Sequence, residues 1–420
     1  MLDIKFIREN KEIVLEAAKN KNRKVDLEEI ILLDDRRKKL QTEIDLFRIE
    51  RNKLSAKMGT DEGAREEGRI LKEKLKKLED EERQVKSALD MAMLTVHNVP
   101  DKSVPVGKDS SGNVEIKKWG EIPKMDFTPL DHIALVKKHD LVDFERGNKV
   151  GGFRAYFLKN EAAILEFAVL FYTYRKLVKK GYTPLIAPSL VKEFTLSGCG
   201  QLPWGREEVY HLEKDDIYIS GTAEVPVTSY FANEILQEKD LPKKFVAFSP
   251  CFRREAGSYG KDTKGLYRLH QFNKIEQVII NKADNESSLA CHEELLRNSE
   301  EVLQDLKLPY RVLLMCTGDM GEPQVKKYDI ETWMPSRGAY GETMSDSFMG
   351  DFQTRRLNIR YKTKDGKTVF THSLNNTAVA SPRILIAILE NYQQKDGSIL
   401  IPEVLRDYVG KERIASNTKC

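Results

Sequence analysis

Residues 251–276, CFRREAGSYGKDTKGLYRLHQFNKIE, set three arginines, two glutamates and several glycines between two apolar strand-like runs. A connecting loop has no structural need of so much charge, whereas a pocket for an anionic ligand does. Arg253 stands at a strand end, where a planar guanidinium can clamp a phosphate through two hydrogen bonds, a geometry that lysine does not match. Gly257, Gly260 and Gly265 let the intervening loop move over a ligand. Phe272 offers a ring to a purine. Glu276 shares its face by the two-residue alternation of a strand and can meet a cationic amine. The pattern suits a nucleotide site on the floor of an antiparallel sheet. A phosphate-binding P-loop is excluded, because Gly260-Lys261 has Glu255 where the first glycine of that motif belongs. His132-Ile133-Ala134-Leu135 lacks the glycine of a HIGH-type nucleotide signature, and we read it as chance.

The elements that must hold these residues are strand-like segments such as YTPLIAPSLV, DDIYIS, FVAFSPCFRRE, LYRLHQFNKIEQVII, YRVLLMC, YDIETWMP and LNIRYKT. They alternate with three helical patterns: FRAYFLKNEAAILEFAVLFYTYRKLVKKG (153–181), ESSLACHEELLRNSEEVLQDL and PRILIAILENYQQ. Few strands are joined by full helices, so an α+β fold on an antiparallel sheet is expected rather than a doubly wound one.

Residues 27–97 differ, carrying apolar residues at seven-residue intervals: Leu33, Leu40, Phe47 and Leu54, then Leu71, Leu78, Val85 and Ala92. Ile44 and Met58, then Leu75, Leu89 and Val96, supply the alternate seam, with Arg37, Arg51 and Glu82 as breaks. Gly59, Gly63 and Gly68 flank a polar stretch that can turn the chain. The expectation is a coiled-coil hairpin of two antiparallel helices, each about 27 residues and so roughly 40 Å long. A homodimerisation coil has the same periodicity; the glycine-bearing turn favours the hairpin. Charge here is balanced, 16 Lys and Arg against 17 Asp and Glu, so RNA binding requires cations gathered on one face. The candidates are Arg48, Arg51, Lys53 and Lys57, or Lys72, Lys74, Lys76 and Lys77. Residues 99–130, rich in Pro, Gly and Ser, read as a linker between an N-terminal unit (1–98) and a second domain (131–420).

Composition agrees with a folded, water-soluble chain: 420 residues, 40% hydrophobic, 32% charged, net charge +3. No run approaches a membrane span, and the opening residues have helical charge spacing rather than a signal sequence, so a cytoplasmic protein is expected. Cys199, Cys251, Cys291, Cys316 and Cys420 form no C-x-x-C pair, which argues against a zinc knuckle or disulfide frame.

The stretch 252–276 resembles the second signature motif of class II aminoacyl-tRNA synthetases, and of seryl-tRNA synthetases in particular. Other landmarks follow in order. Lys180-Gly181-Tyr182 with Pro188 resembles motif 1, which in that family lies at the dimer interface. Gly221-Thr222-Ala223-Glu224 resembles the TAE loop, Glu342-Thr343-Met344-Ser345 the metal and ATP segment, and SLNNTAVASPRILIAILENYQQ motif 3. The N-terminal helices stand where the family carries its tRNA-binding arm, so the likeness spans essentially the whole chain.

The resemblance implies a class II catalytic domain, a homodimer, and ligation of L-serine to tRNA(Ser) through seryl-adenylate, with tRNA(Sec) as a further acceptor. It assigns Arg253 to the α-phosphate and amino-acid carboxylate, Glu255 to adenine, Leu269 and Phe272 to the base, and Arg383 to the γ-phosphate. Arg254, Thr343 and Met344 fall within the ATP-binding segments. Glu342 and Ser345 match the Mg2+ ligands; Thr222, Ala223, Glu224, Arg253, Glu276 and Thr377 match the serine site. A carboxylate nucleophile is already ionised, so His270 is expected to be structural rather than a catalytic base. Departures from the family pattern are Arg254 in place of serine, Gly341 in place of arginine, Met344 in place of a small polar residue, and Cys199 within LSGCGQLPWG. Two alternatives share these features: an activating ligase with a carrier-protein acceptor, and a catalytically dead RNA-binding paralogue.

Overall fold

The computed structural model describes residues 1–55, 62–258 and 264–415. Lys57, Met58, Gly59, Gly260 and Cys420, all used above, lie outside them. The chain divides into two compact units, Met1–His97 and Asn98–Cys420.

In the first unit two short helices, Ile4–Glu9 and Lys11–Asn20, precede α1 (Leu27–Ser55) and α2 (Glu62–Leu94). Leu40 and Ile44 of α1 and Leu71, Leu75, Val85 and Leu89 of α2 are buried, with Phe47, Leu54 and Leu78 beside them, so the heptad seam is an intramolecular one. Ion pairs join Arg36 to Glu81 and Arg48 to Glu79, and the Lys74 ammonium lies 4.1 Å from the Phe47 ring centroid. Two cations of the proposed RNA faces, Arg48 and Lys74, thus engage the neighbouring helix. Gly63 and Gly68 lie inside α2 rather than outside a helix end. Gly68 is buried and three residues before Leu71 in the seam, where a missing side chain suits close helix approach.

The second unit is built on eight strands: β1 (Val114–Trp119), β2 (Thr183–Ile186), β3 (Lys243–Phe252), β4 (Gln271–Asn281), β5 (Tyr310–Leu314), β6 (Lys326–Met334), β7 (Ala339–Gly350) and β8 (His372–Ala380). They form one sheet in the order β1-β5-β6-β7-β8-β4-β3-β2. Every pairing is antiparallel except β2 with β3. Three helices, α3 (Asn160–Lys179), α4 (Asn285–Asp305) and α5 (Ser381–Asn391), contribute Leu165, Val302 and Ile388 to a core that also takes Ile275 and Ile279 from β4. Val278 and Ile280, of opposite parity, enter a second core with Leu196, Tyr218 and Val225. Alternation places Lys274 and Glu276 on this second face. The α+β architecture expected from the sequence is the one observed.

The segment 99–130 is more than a linker, because β1 extends the sheet edge against β5. Its lack of periodicity fits a strand exposed along almost its whole length. Backbone bonds also clasp it to the loop after β5, with the Gly318 amide 3.0 Å from the Gly107 carbonyl and that of Thr317 2.9 Å from Pro105. A Cβ on Gly318 would lie 2.3 Å from the Lys108 carbonyl oxygen. Gly318→Ala is therefore expected to destabilise the protein by about 1–3 kcal/mol, read as a lower midpoint in urea. Among the described residues no helix is long and apolar enough to cross a membrane, and Cys199, Cys251, Cys291 and Cys316 are buried free thiols.

Candidate active site

Arg253 follows directly on β3. Its amide donates to the His270 carbonyl at 3.0 Å, and His270 Nδ1 lies 2.9 Å from the Arg253 carbonyl oxygen. A carbonyl only accepts, so Nδ1 carries the proton and the imidazole is engaged in holding the two limbs of the loop together. Arg253 Nε donates to the Gly221 carbonyl at 3.3 Å, and its guanidinium lies 5.3 Å from the Phe272 ring centroid. Glu255 adopts a positive φ of 54° and accepts from Arg268 at 3.0 Å. Glu208 anchors the loop, accepting from the Arg254 amide at 3.0 Å on its carbonyl and from the Gly257 amide at 2.9 Å on its carboxylate.

The opposite wall comes from β7 and α5. Glu342 pairs with Glu331 and Met344 with Ile330, leaving Thr343 as the extra residue of a β-bulge. In an unbroken strand residues three apart face opposite sides; the bulge resets the phase, and Glu342 and Ser345 both line the same cleft. Arg383, in the first turn of α5, donates to the Glu342 carbonyl at 3.0 Å and its carboxylate at 3.1 Å. The Tyr267 ring has guanidinium groups at 4.6 Å (Arg383) and 4.4 Å (Arg337). Burial raises the Glu342 carboxyl, but Arg383 and Lys327 outweigh it, so the group sits below the usual range and is ionised. Among the described residues no group of three or more His, Cys, Asp or Glu is arranged to hold a metal. One ionised carboxylate beside one hydroxyl instead suits a hard dication that completes its shell with phosphate oxygens and water, and Glu342 with Ser345 fits that description.

The floor is β4 beside β8, where a second bulge makes Ala378 the extra residue and sets Thr377 opposite Glu276. Glu276 is fully buried. It takes the Lys274 ammonium at 2.5 Å, Asn375 Nδ2 at 3.1 Å and the Thr377 hydroxyl at 3.3 Å. Lys274 also donates to Thr222 Oγ1 at 2.7 Å. Glu224 accepts from Gln353 at 2.7 Å; burial first and the charge of Glu276 second push its carboxyl up to about 7.

A cleft of about 580 Å³ brings together Arg253, Glu255, Leu269, Phe272, Glu342, Thr343, Met344, Ser345, Thr377 and Arg383. An adjoining cavity of about 1220 Å³ shares Arg253 and Glu255 and adds Thr222. Ala223, Glu224 and Glu276 line neither. The Ala223 methyl is in the second core, and Glu276 lies behind Lys274. Arg254 lines neither cavity; it is solvent-exposed, and its amide is engaged by the Glu208 carbonyl.

Residues 1–100 match the family model described as the seryl-tRNA synthetase N-terminal domain, and 208–392 match the tRNA synthetase class II core domain (G, H, P, S and T). Serine-tRNA ligase of Deinococcus radiodurans is 46% identical over 419 residues, 99% of each chain. The chain belongs to the seryl-tRNA synthetase family. Among solved structures, seryl-tRNA synthetase from Pyrococcus horikoshii, complexed with ATP, superposes with a TM-score of 0.90 at 39% identity, covering 99% of this chain and 100% of that one. The cytoplasmic serine-tRNA ligase of Naegleria fowleri, in complex with AMP, gives 0.88 at 32% identity, with 100% and 99% covered.

Lys274, Tyr267 and Arg337 were missed in the sequence. For Lys274 a signal existed: it falls between Phe272 and Glu276 in the same alternation, and a lysine on a buried face needs an anionic or accepting partner. The two arginines that meet the Tyr267 ring lie 70 and 116 residues further along the chain, and no local pattern announces them.

Proposed function

We propose that this member of the family activates L-serine with ATP to form seryl-adenylate and pyrophosphate, then transfers the seryl group to the 3′-terminal ribose of tRNA(Ser). One observation carries the reading: Arg253, Arg383, Glu342 and Ser345 line a single cleft whose floor holds Lys274 and Thr377. The serine carboxylate attacks the α-phosphorus, the α–β bridging oxygen leaves with pyrophosphate, and no proton moves. The protein's task is therefore to align two anions and offset their charge. Arg253 would bridge the carboxylate and α-phosphate, Arg383 would hold the γ-phosphate, and adenine would lie against Phe272 and Leu269 near Glu255. Glu342 and Ser345 would hold Mg2+, which when bound neutralises phosphate charge. In the second step a ribose hydroxyl attacks the seryl carbonyl, the bond from that carbon to the phosphate oxygen breaks, and AMP leaves with the hydroxyl proton transferred to its phosphate or to water.

Thr222, Glu224, Glu276 and Thr377 form the serine end. Glu224 is our partner for the α-ammonium. Since its carboxyl is neutral below about pH 7 and charged above, the KM for serine should rise as pH falls from 8 to 6 while that for ATP changes little. Glu224→Gln should raise the serine KM at pH 8 and flatten this dependence; a profile of unchanged slope would remove Glu224 from that role.

The helical hairpin would recognise the long variable arm of tRNA(Ser), and of tRNA(Sec) where one exists, by shape and backbone contacts. A homodimer is supported by the apolar stripe of Ile164, Phe167 and Phe171 on α3, with Phe167 73% exposed, and by Ile186 on the edge strand β2, 81% exposed. Substrates of this kind place the enzyme in the cytoplasm. Serine-dependent pyrophosphate exchange followed by transfer to total tRNA tests the whole reading. No exchange would leave the dead-paralogue alternative, and exchange without tRNA charging would favour a carrier-protein acceptor.

A further inference from the structure

Lys274 is 4% exposed and takes no part in the activation chemistry described above, yet it is the hub of the cleft floor. An ammonium has three protons and no lone pair. Those of Lys274 meet Glu276 Oε2 at 2.5 Å, Thr222 Oγ1 at 2.7 Å and Thr377 Oγ1 at 3.4 Å, so its donors are all engaged within the protein.

We infer that Lys274 is a specificity-determining positioning residue, which sets two threonine hydroxyls in opposite polarity so that together they read the hydroxyl of the amino acid. The inference rests on the serine-activating reading and names how that site chooses its substrate. Thr222 Oγ1 accepts from Lys274 and, at 3.1 Å, from the Glu224 amide. Both lone pairs are used, so its proton is left to donate. Thr377 donates its proton to Glu276 Oε2 at 3.3 Å and accepts from Lys274, which leaves it one lone pair. Two chemically identical groups thus offer one donor and one acceptor. Both are bonded to the same ammonium, so a single small group can meet both.

A hydroxyl is the complement of that pair. Alanine and glycine fit the same space but leave the donor and the acceptor unmet in a buried site, and a thiol satisfies each only weakly. Glu276, which lines neither cavity, pairs with the Lys274 ammonium and holds the Thr377 proton in place. Without the lysine, the Thr222 hydroxyl is free to turn either way and the polarity code is lost.

The test is serine- and alanine-dependent pyrophosphate exchange by the full-length protein carrying Lys274→Met. Because that change strands a buried carboxylate, the double variant Lys274→Met/Glu276→Gln, which removes both charges together, is measured against Glu276→Gln alone, each with its melting temperature. The expected result in the folded double variant is a serine KM at least about tenfold above that of Glu276→Gln, an ATP KM within about twofold of the unaltered protein, and a smaller preference for serine over alanine than Glu276→Gln shows. A folded double variant as selective for serine over alanine as Glu276→Gln, or one in which the serine and ATP KM rise together, would overturn the inference and leave Lys274 a structural brace. Lack of serine-dependent exchange by the unaltered protein would instead overturn the ligase reading beneath it, so the two failures are told apart by the control.

Discussion

Arg253→Ala is expected to lower serine-dependent pyrophosphate exchange by about 100- to 1,000-fold, the range seen when a donor aimed at developing charge is removed. The side chain is already oriented in the absence of substrate. Its Nε is tied to the Gly221 carbonyl and its plane lies near the Phe272 ring, which leaves the outer nitrogens for two anionic oxygens. It also lines both the cleft and the adjoining cavity, so serine carboxylate and α-phosphate can meet it together. Arg253→Lys should recover little of the loss, because a point charge does not reproduce the fork. The decisive measurement is steady-state exchange at saturating ATP and serine. Near-normal turnover in the alanine variant would remove Arg253 from the reaction centre.

Shortening the helical hairpin should separate the two half-reactions. Removing residues 41–78 and joining Leu40 to Glu79 through a short glycine turn leaves the base of α1 and α2, including the Arg36 to Glu81 pair. Exchange should stay within about twofold of the full chain, while kcat/KM for tRNA(Ser) should fall by about 100-fold or more, as expected when a few kilocalories of binding are lost at 1.4 kcal/mol per tenfold. The chain's division at His97/Asn98 is why the catalytic unit should tolerate the cut. Unchanged tRNA charging would refute the role given to the hairpin. A parallel loss of exchange would mean that the hairpin supports the fold of the site rather than the capture of tRNA.

Much of this was legible because it is local. Heptads along 27–97 specified two packed helices, and alternation from Phe272 to Glu276 put the floor residues on one face. What was not legible depends on pairing between distant strands. No sequence pattern shows that Thr343 and Ala378 are skipped in their ladders, since a bulge is a property of two strands. The edge strand Val114–Trp119 was read as linker for the same reason: its stability comes from β5, nearly 200 residues away. Gly63 and Gly68 misled in the other direction. Glycine is a weak helix former, but two of them within a long packed helix are outvoted by the seam. Alternation puts Glu276 on the same face as Phe272 but does not show its depth, which is set by the buried pairing with Lys274.

The skipped residue at Thr343 has a consequence for how this strand can vary. On either side of it β7 obeys two different reading phases: one turns Ser345 to the cleft, the other Glu342. The segment therefore behaves as two words with a spacer, and its spelling matters less than its count. Exchanging the side chain at 343 alters a letter, whereas straightening the ladder so that Thr343 is paired like its neighbours would impose a single phase on two residues three apart. Glu342 or Ser345 would then turn away from the cleft, and two residues that line it together would become strangers on opposite faces of the same sheet.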